Sequence, residues 1–243
     1  TQRTKDARLS DVQRMAHRFP TLNEIRRKDV QVWAASLIES EGLAGNTMRR
    51  ILTACREYWK YLKALELVPD DSAPFDGLNL PKVKHSIRGG DKRKAFTPGQ
   101  VVELLNKAVE KEDQQLADLI RLGMWTGARI ESLCSLKVED VREQSFMVNE
   151  DKTEAGTREV PIHSKLKSTM DRLVKDSKDG YILSGLTFNK YRDRSNAVGK
   201  RFGRLKSKLG HGPELVFHSI RKTVATIMED AGVPENVTAD ILG

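Results

Sequence analysis

Cysteine is scarce: there are two in 243 residues, Cys55 and Cys134. Both fall on helical apolar patterns, which predicts small core side chains in a reducing cytoplasm and argues against a disulfide framework. Long apolar runs are missing as well. No stretch approaches the roughly 20 residues that span a bilayer, so no transmembrane helix is predicted. No secretory signal is visible, although Thr1 in place of Met leaves the start of the chain open. His17, His85, His163, His211 and His218 are dispersed, and with the two cysteines they form no cluster at metal-ligand spacing, so neither a metal nor another cofactor is expected. A G-x-x-x-x-G-K-[ST] phosphate loop is absent. Acid is short against base, with 34 Asp and Glu facing 42 Lys and Arg, for a net charge of +8 and a pI near 9.4. That balance says little about fold. It favours a polyanionic partner, nucleic acid before membrane.

What is present reads as two helical domains joined by a basic linker. Residues 1–18 are polar and basic with little periodicity and are expected to be a lead-in or partial element. Apolar residues recur at helical spacing from Thr21 to Ser40 and again from Thr47 to Leu65, with Asn46 as the expected N-cap of the second helix. Met48, Ile51, Leu52, Cys55, Trp59 and Leu62 make its buried stripe, and Arg49, Arg50, Thr53, Arg56, Lys60 and Lys63 lie away from it. Such a basic face is commonly just solvated. Equally, its short polar and basic side chains can reach the phosphates and base edges of a duplex. From Pro69 to Pro81 the composition shifts to Pro, Asp, Gly and Ser, which closes a first domain at residues 1–81. Residues 82–95 form the linker, where Lys82, Lys84, Arg88, Lys92, Arg93 and Lys94 surround Gly89-Gly90 and only Asp91 opposes them. A basic linker can cross a phosphate backbone and let two domains close round a duplex.

Residues 96–243 form the second domain. Thr97-Pro98-Gly99-Gln100 has the pattern of a capping box with Pro at the first helical position. A second helix covers about Gln115 to Trp125 and ends at Thr126-Gly127; a third starts near Arg129. Phe146 and Val148, then Val160 and Ile162, alternate on either side of a turn at 151–156. This predicts a β-hairpin, with Lys152 where the first strand enters the turn. A helix resumes around 165–174. Residues 189–208 are very basic: Lys190, Arg192, Arg194, Lys200, Arg201, Arg204, Lys206 and Lys208 face one acid, Asp193, and Phe202 and Leu205 anchor the segment. From Phe217 to Asp230 the pattern is helical, with Phe217, Ile220, Val224, Ile227 and Met228 as the core stripe. His218 and Arg221 flank that stripe on neighbouring turns and can grip one phosphate together. A last helix starts at Pro234, with Val237, Ile241 and Leu242 expected to be buried.

Singly these signals are weak. Arg129 alone reads as a helix-end surface Arg, and Lys152 alone as a solvated turn Lys for which Arg158 or Lys165 could be mistaken. In order, however, Thr126-Gly127-Ala128-Arg129, Lys152, His218-x-x-Arg221 and Ile241-Leu242-Gly243 resemble the catalytic domain of the tyrosine recombinase (phage integrase) family over residues 96–243. The resemblance implies a mainly α fold with a small β element: an N-terminal helical core-binding (SAM-like) domain and a tyrosine-recombinase catalytic domain. It implies site-specific DNA recombination, integration or excision of a phage or mobile element, by metal-free phosphoryl transfer through a 3′-phosphotyrosine. Arg129 and Arg221 would hold the non-bridging oxygens of the scissile phosphate. Lys152 would protonate the leaving 5′ oxygen, since an Arg pKa above about 12 makes a poor proton donor. His218 would act as base or hydrogen-bond partner. The implied partners are a double-stranded recombination site and, on paired sites, a homotetramer, in the cytoplasm of a bacterial host at the nucleoid. DNA contacts would come from the cations of residues 47–63 and the linker, and from Lys200, Arg201 and Arg204.

Two departures qualify the resemblance. In many members the third residue after the first Arg is an acid that supports the site; here Ser132 stands there and Glu131 one place earlier, about 100° round a helix. The nucleophilic Tyr is expected beyond Leu242-Gly243, whereas Tyr181 and Tyr191 precede the His-x-x-Arg pair and Tyr58 and Tyr61 lie in the first domain. Residues 1–243 are therefore expected to bind DNA without cleaving it. The rival readings are a non-catalytic DNA-binding regulator that kept the clamp, a type IB topoisomerase-like enzyme, and a basic helical interaction protein.

Overall fold

The computed structural model describes residues 1–80, 93–149 and 157–243. The chain divides into two units, Thr1–Asp91 and Lys92–Gly243. The architecture is mainly helical with one small sheet, the fold class that the sequence resemblance implies.

Among its described residues the first unit holds three α-helices, α1 (Gln2–Arg18), α2 (Arg27–Glu39) and α3 (Gly45–Ala64). Met48, Ile51, Leu52, Cys55, Trp59 and Leu62 of α3 are buried, as their spacing predicts, and α1 and α2 both pack on this helix. Each large apolar side chain buried this way contributes about 1.5–3 kcal/mol. The segment after α3 closes the core: Phe75 meets Trp59 edge-on at 5.8 Å, and the Trp59 indole N–H donates to the Ser72 carbonyl at 3.1 Å.

Two expectations fail here. Residues 1–18 are not a lead-in but a 17-residue helix with Asp11 and Met15 buried. Its periodicity is faint because one of those two positions is a carboxylate, which sits 3.0 Å from Arg50 of α3. Burial pushes the Asp11 carboxyl up, and Arg50 and Arg14 draw it back down. Nor does Asn46 cap α3: the N-cap is Ala44, and the Asn46 side-chain oxygen faces Arg49 at 3.5 Å.

The second unit runs α4 (Pro98–Glu110), α5 (Gln114–Thr126), α6 (Ile130–Cys134), β1 (Ser145–Val148), β2 (Arg158–Pro161), α7 (Ser164–Asp176), α8 (Ser195–Lys208), α9 (Phe217–Asp230) and α10 (Glu235–Leu242). The expected capping box opens α4: the Thr97 hydroxyl accepts from Gln100 N at 3.2 Å and the Gln100 side chain accepts from Thr97 N at 2.9 Å. α5 is the central helix, packed against α4, α6, α7, α8 and α9. Its one buried acid, Asp118, accepts from Gln114 at 2.9 Å, Arg121 at 3.0 Å and Arg172 of α7 at 2.6 Å, so its charge is paired. β1 and β2 pair antiparallel with Phe146 opposite Val160 and Val148 opposite Arg158, which turns the three apolar side chains into the core.

The apolar stripe of α9 differs from its sequence reading. Phe217 and Ile220 are buried, but so are Ser219 and Thr223, while Ile227 is 49% exposed. The polar pair tolerates burial because it is bonded: Ser219 Oγ accepts from Val216 N at 3.1 Å, and Thr223 Oγ1 donates to the Phe96 carbonyl at 2.7 Å. On α10, Leu242 is buried as expected, but Val237 is 39% exposed.

Candidate active site

Arg129 is presented by the turn that ends α5. Gly127 is left-handed there (φ +62°), and its N–H closes on the Gly123 carbonyl at 2.9 Å. A Cβ at this position would also stand 2.4 Å from Leu242 Cδ2 and 3.2 Å from Val224 Cγ1, so glycine is required for conformation and for space. Thr126 stiffens the turn, donating to the Leu122 carbonyl at 2.7 Å and accepting from Ala128 N at 3.2 Å. The chain then extends, and Arg129 becomes the N-cap of α6 (φ −67°, ψ 146°).

Arg221 reaches the same place from α9. Its Nη1 donates to the Gly127 carbonyl at 3.3 Å, which locks it to the Arg129 turn. Arg129 Nη2 donates to the Gly243 oxygen at 3.1 Å, and Arg221 donates to that same oxygen and to the Leu242 carbonyl. From β2, Arg158 Nε donates to the Ile241 carbonyl at 3.0 Å. Three guanidiniums from three elements thus gather at the end of α10, Arg158 and Arg221 on the Ile241 and Leu242 carbonyls and Arg129 and Arg221 on the carboxylate of Gly243, the last residue of the sequence. Two of them converge on one oxygen atom. A non-bridging phosphate oxygen makes the same demand, an acceptor for two charge-assisted N–H donors.

His218 stands on the exposed side of α9 within this field. Partial desolvation holds its imidazole below the ordinary histidine range, and Arg221, Arg129, Lys222 and Arg93 push in the same direction. At neutral pH the ring is therefore uncharged and able to accept a proton. Arg93 is held near the site by its backbone: its carbonyl accepts from Lys222 Nζ, and the next residue, Lys94, donates N–H to the Glu214 carbonyl at 3.2 Å. Lys222 adjoins Arg221, yet nothing in its sequence context marks it as the residue that fastens this segment. The other members of the expected set, Lys152, Lys82, Lys84, Arg88 and Lys92, lie outside the described residues.

The basic segment 189–208 divides in two. Lys200 and Arg204 are exposed on α8, and Arg201 is half-buried beside Asp113 at 3.2 Å. They line a cleft of about 470 Å³ with Phe188, Asn189 and Asn196. Arg194 and Lys206 turn inward. Arg194 is 2% exposed, bonded to the Cys134 and Leu183 carbonyls at 2.9 and 3.0 Å and to Asp179 at 3.1 Å, with its guanidinium 3.6 Å from the Tyr181 ring centroid. Lys206 donates to the Gly212 carbonyl at 2.6 Å. Charge alone could not separate these inward cations from the outward ones.

In the first unit Arg49, Arg50, Thr53 and Lys60 are exposed. Arg56 is half-buried, paired with Asp76 at 2.6 Å and donating to the Phe75 carbonyl at 2.9 Å. Tyr58 and Tyr61 stack on each other at 6.4 Å, also in the first unit. Tyr181 is taken up by Arg194, and Tyr191 lies under Lys190 at 4.6 Å. Among the described residues no group of three His, Cys, Asp or Glu side chains is placed to hold a metal ion, and no helix is long and apolar enough to cross a membrane.

A model of the phage integrase family matches residues 94–243, more than half of the chain. A tyrosine recombinase XerA from Pyrococcus horikoshii is 26% identical over 220 residues, covering 89% of this chain and 71% of its own. A tyrosine recombinase XerC from Corynebacterium efficiens is 23% identical over 252 residues, covering 96% and 74%. Among solved structures, a lambda integrase tetramer bound to a Holliday junction superposes with a TM-score of 0.79 at 20% identity, covering all of this chain and 71% of that one. The Tn1549 transposon integrase in complex with transposon right-end DNA gives 0.67 at 21% identity, with 91% and 78% covered. At these identities the structural matches speak for the fold.

Proposed function

The chain belongs to the phage integrase family, and we propose that it performs site-specific DNA recombination with Arg129, Lys152, His218 and Arg221 as catalytic residues and duplex DNA as substrate. The observation that carries this reading is that Arg221 of α9 is bonded to the Gly127 carbonyl at 3.3 Å, in the turn that presents Arg129, so the two guanidiniums stand side by side. In the reaction, a tyrosine phenol oxygen attacks the scissile phosphorus and the 5′ oxygen leaves. A 3′-phosphotyrosine forms, and a 5′ hydroxyl from the partner strand reverses the step. The bond energy is conserved, so no nucleotide is hydrolysed. The arginines neutralise the charge that builds on the non-bridging oxygens. Lys152 gives its proton to the departing 5′ oxygen, and neutral His218 takes or shares the phenol proton. The exposed cations of α3 and α8, with Arg93 and Lys94, supply phosphate contacts. Pairing of two sites brings four protomers together, in the cytoplasm of the host cell.

Tyr58, Tyr61, Tyr181 and Tyr191 all precede the His-x-x-Arg pair. Residues 1–243 alone are accordingly proposed to bind duplex DNA without joining to it. The test is covalent capture by the full natural polypeptide on a nicked duplex whose broken end diffuses away. An adduct is expected, and its absence under conditions of saturated binding would overturn the reading.

His218 adds a pH dependence. Because its imidazole is held below the usual value of about 6.5, the second-order capture rate is expected to be flat through neutrality. It should fall only when acid protonates the ring, with a midpoint below that value. Lys222→Gln removes one of the depressing charges and is expected to move the midpoint upward. An acid limb centred above 6.5 in the wild type would contradict this role for His218.

A further inference from the structure

We infer that Glu131 is a positioning residue that ties the Arg129 turn to the first turn of α8, and so sets the register between the helix that meets DNA and the arginines that meet the scissile phosphate. The inference rests on the function proposed above.

The first N–H groups of a helix have no partner within it, and α8 supplies no side-chain cap of its own, because its N-cap, Arg194, is turned into the core. Glu131 supplies the cap from another element. Its Oε1 accepts from Arg194 N at 2.8 Å and its Oε2 from Ser195 N at 2.9 Å. Both carboxylate oxygens are thus used at the partly positive end of a helix. The backbone behind the carboxylate is fixed too, since Ser135 N and Ser135 Oγ both donate to the Glu131 carbonyl, at 2.9 and 2.6 Å. Farther along, α6 and α8 touch closely: a Cβ on Gly199 would lie 3.5 Å from Ile130 Cδ1. Arg129, the N-cap of α6, is two residues from the carboxylate. The acid that stands one place before its usual position in the family resemblance is therefore bonded, but to α8.

Geometry explains why this joint bears on catalysis and not only on stability. At 1.5 Å per residue, Lys200 and Arg204 lie about 8 and 14 Å along α8 from Ser195. A pivot of about 10° at the first turn would carry Arg204 by roughly 2 Å. A misplacement of about 1 Å between substrate and catalytic groups can cost about a hundredfold in rate. The exposed cations stay on α8 in either case, so binding itself survives.

The test compares the full natural polypeptide with its Glu131→Ala and Glu131→Gln variants in capture on a nicked duplex, with thermal denaturation alongside. For Glu131→Ala the capture rate at saturating DNA is expected to fall at least tenfold, while the half-saturating DNA concentration stays within about twofold. Glu131→Gln keeps the size and one acceptor oxygen and is expected to fall between the two. It carries the test if the alanine variant does not fold. A variant that captures at the wild-type rate overturns the inference, and so does a loss that appears only as a higher half-saturating concentration. If the wild type itself forms no adduct, the proposed function fails and this inference with it; full-rate capture by a variant sinks the inference alone.

Discussion

Arg129→Ala and Arg221→Ala are each expected to reduce covalent capture on a nicked duplex by about a thousandfold or more. Removing one preorganised donor from a developing oxyanion costs about a hundred- to a thousandfold, and an arginine aimed at a transferring phosphoryl group is worth about 10³–10⁵. The two share an acceptor, so the double variant should be little worse than either single one. Arginine-to-lysine changes keep the charge but lose the planar fork, and are expected to lie between wild type and alanine. Binding should change far less, because one phosphate contact is lost from many. The measurement is the capture rate at saturating DNA for all five variants. Capture within tenfold of wild type in either alanine variant would remove these residues from the active site.

The second large effect falls on stability. Arg194→Ala is expected to destabilise the second unit by about 3–5 kcal/mol, because it leaves the Cys134 and Leu183 carbonyls without this donor and removes a buried side chain packed on the Tyr181 ring, while Asp179 keeps the Tyr181 and Gly185 amides. For a unit of this size that corresponds to a fall in Tm of roughly 6–20 °C. Arg204→Ala, on the exposed side of the same basic segment, should leave stability within about 0.5 kcal/mol and reduce the slope of log affinity against log salt by about one. Thermal denaturation and salt titration on the two variants separate the roles. An Arg194 variant as stable as wild type but poor at binding would reverse the assignment.

These two arginines mark where the sequence was readable. The Thr97–Gln100 capping box, the antiparallel pairing of residues 145–148 with 158–161, and the order of Arg129, His218 and Arg221 were all legible, because each depends on residues close together or on a fixed succession. Arg194 and Arg204 are indistinguishable by local pattern: what separates them is Asp179, Tyr181 and two carbonyls that only the fold brings near. α1 escaped notice for a related reason, since its inward face holds Asp11, whose cost of burial is met by Arg50 of a distant helix. Glu131 looked displaced when judged by its angle on α6, and its partner amides at Arg194 and Ser195 lie in a different element. The placing of Arg221 beside the Arg129 turn is likewise a property of how α5 and α9 meet.

The central claim is that the arginine pair serves a tyrosine that becomes joined to a 3′ phosphate. The most direct measurement is nuclease and protease digestion of the captured complex, formed with a chelator present, followed by mass spectrometry of the joined peptide. The expected product is a tyrosine carrying a nucleotide through its 3′ phosphate, in equal yield with and without chelator. A 5′-linked adduct, attachment to a residue other than tyrosine, or metal-dependent cleavage without an adduct would contradict it.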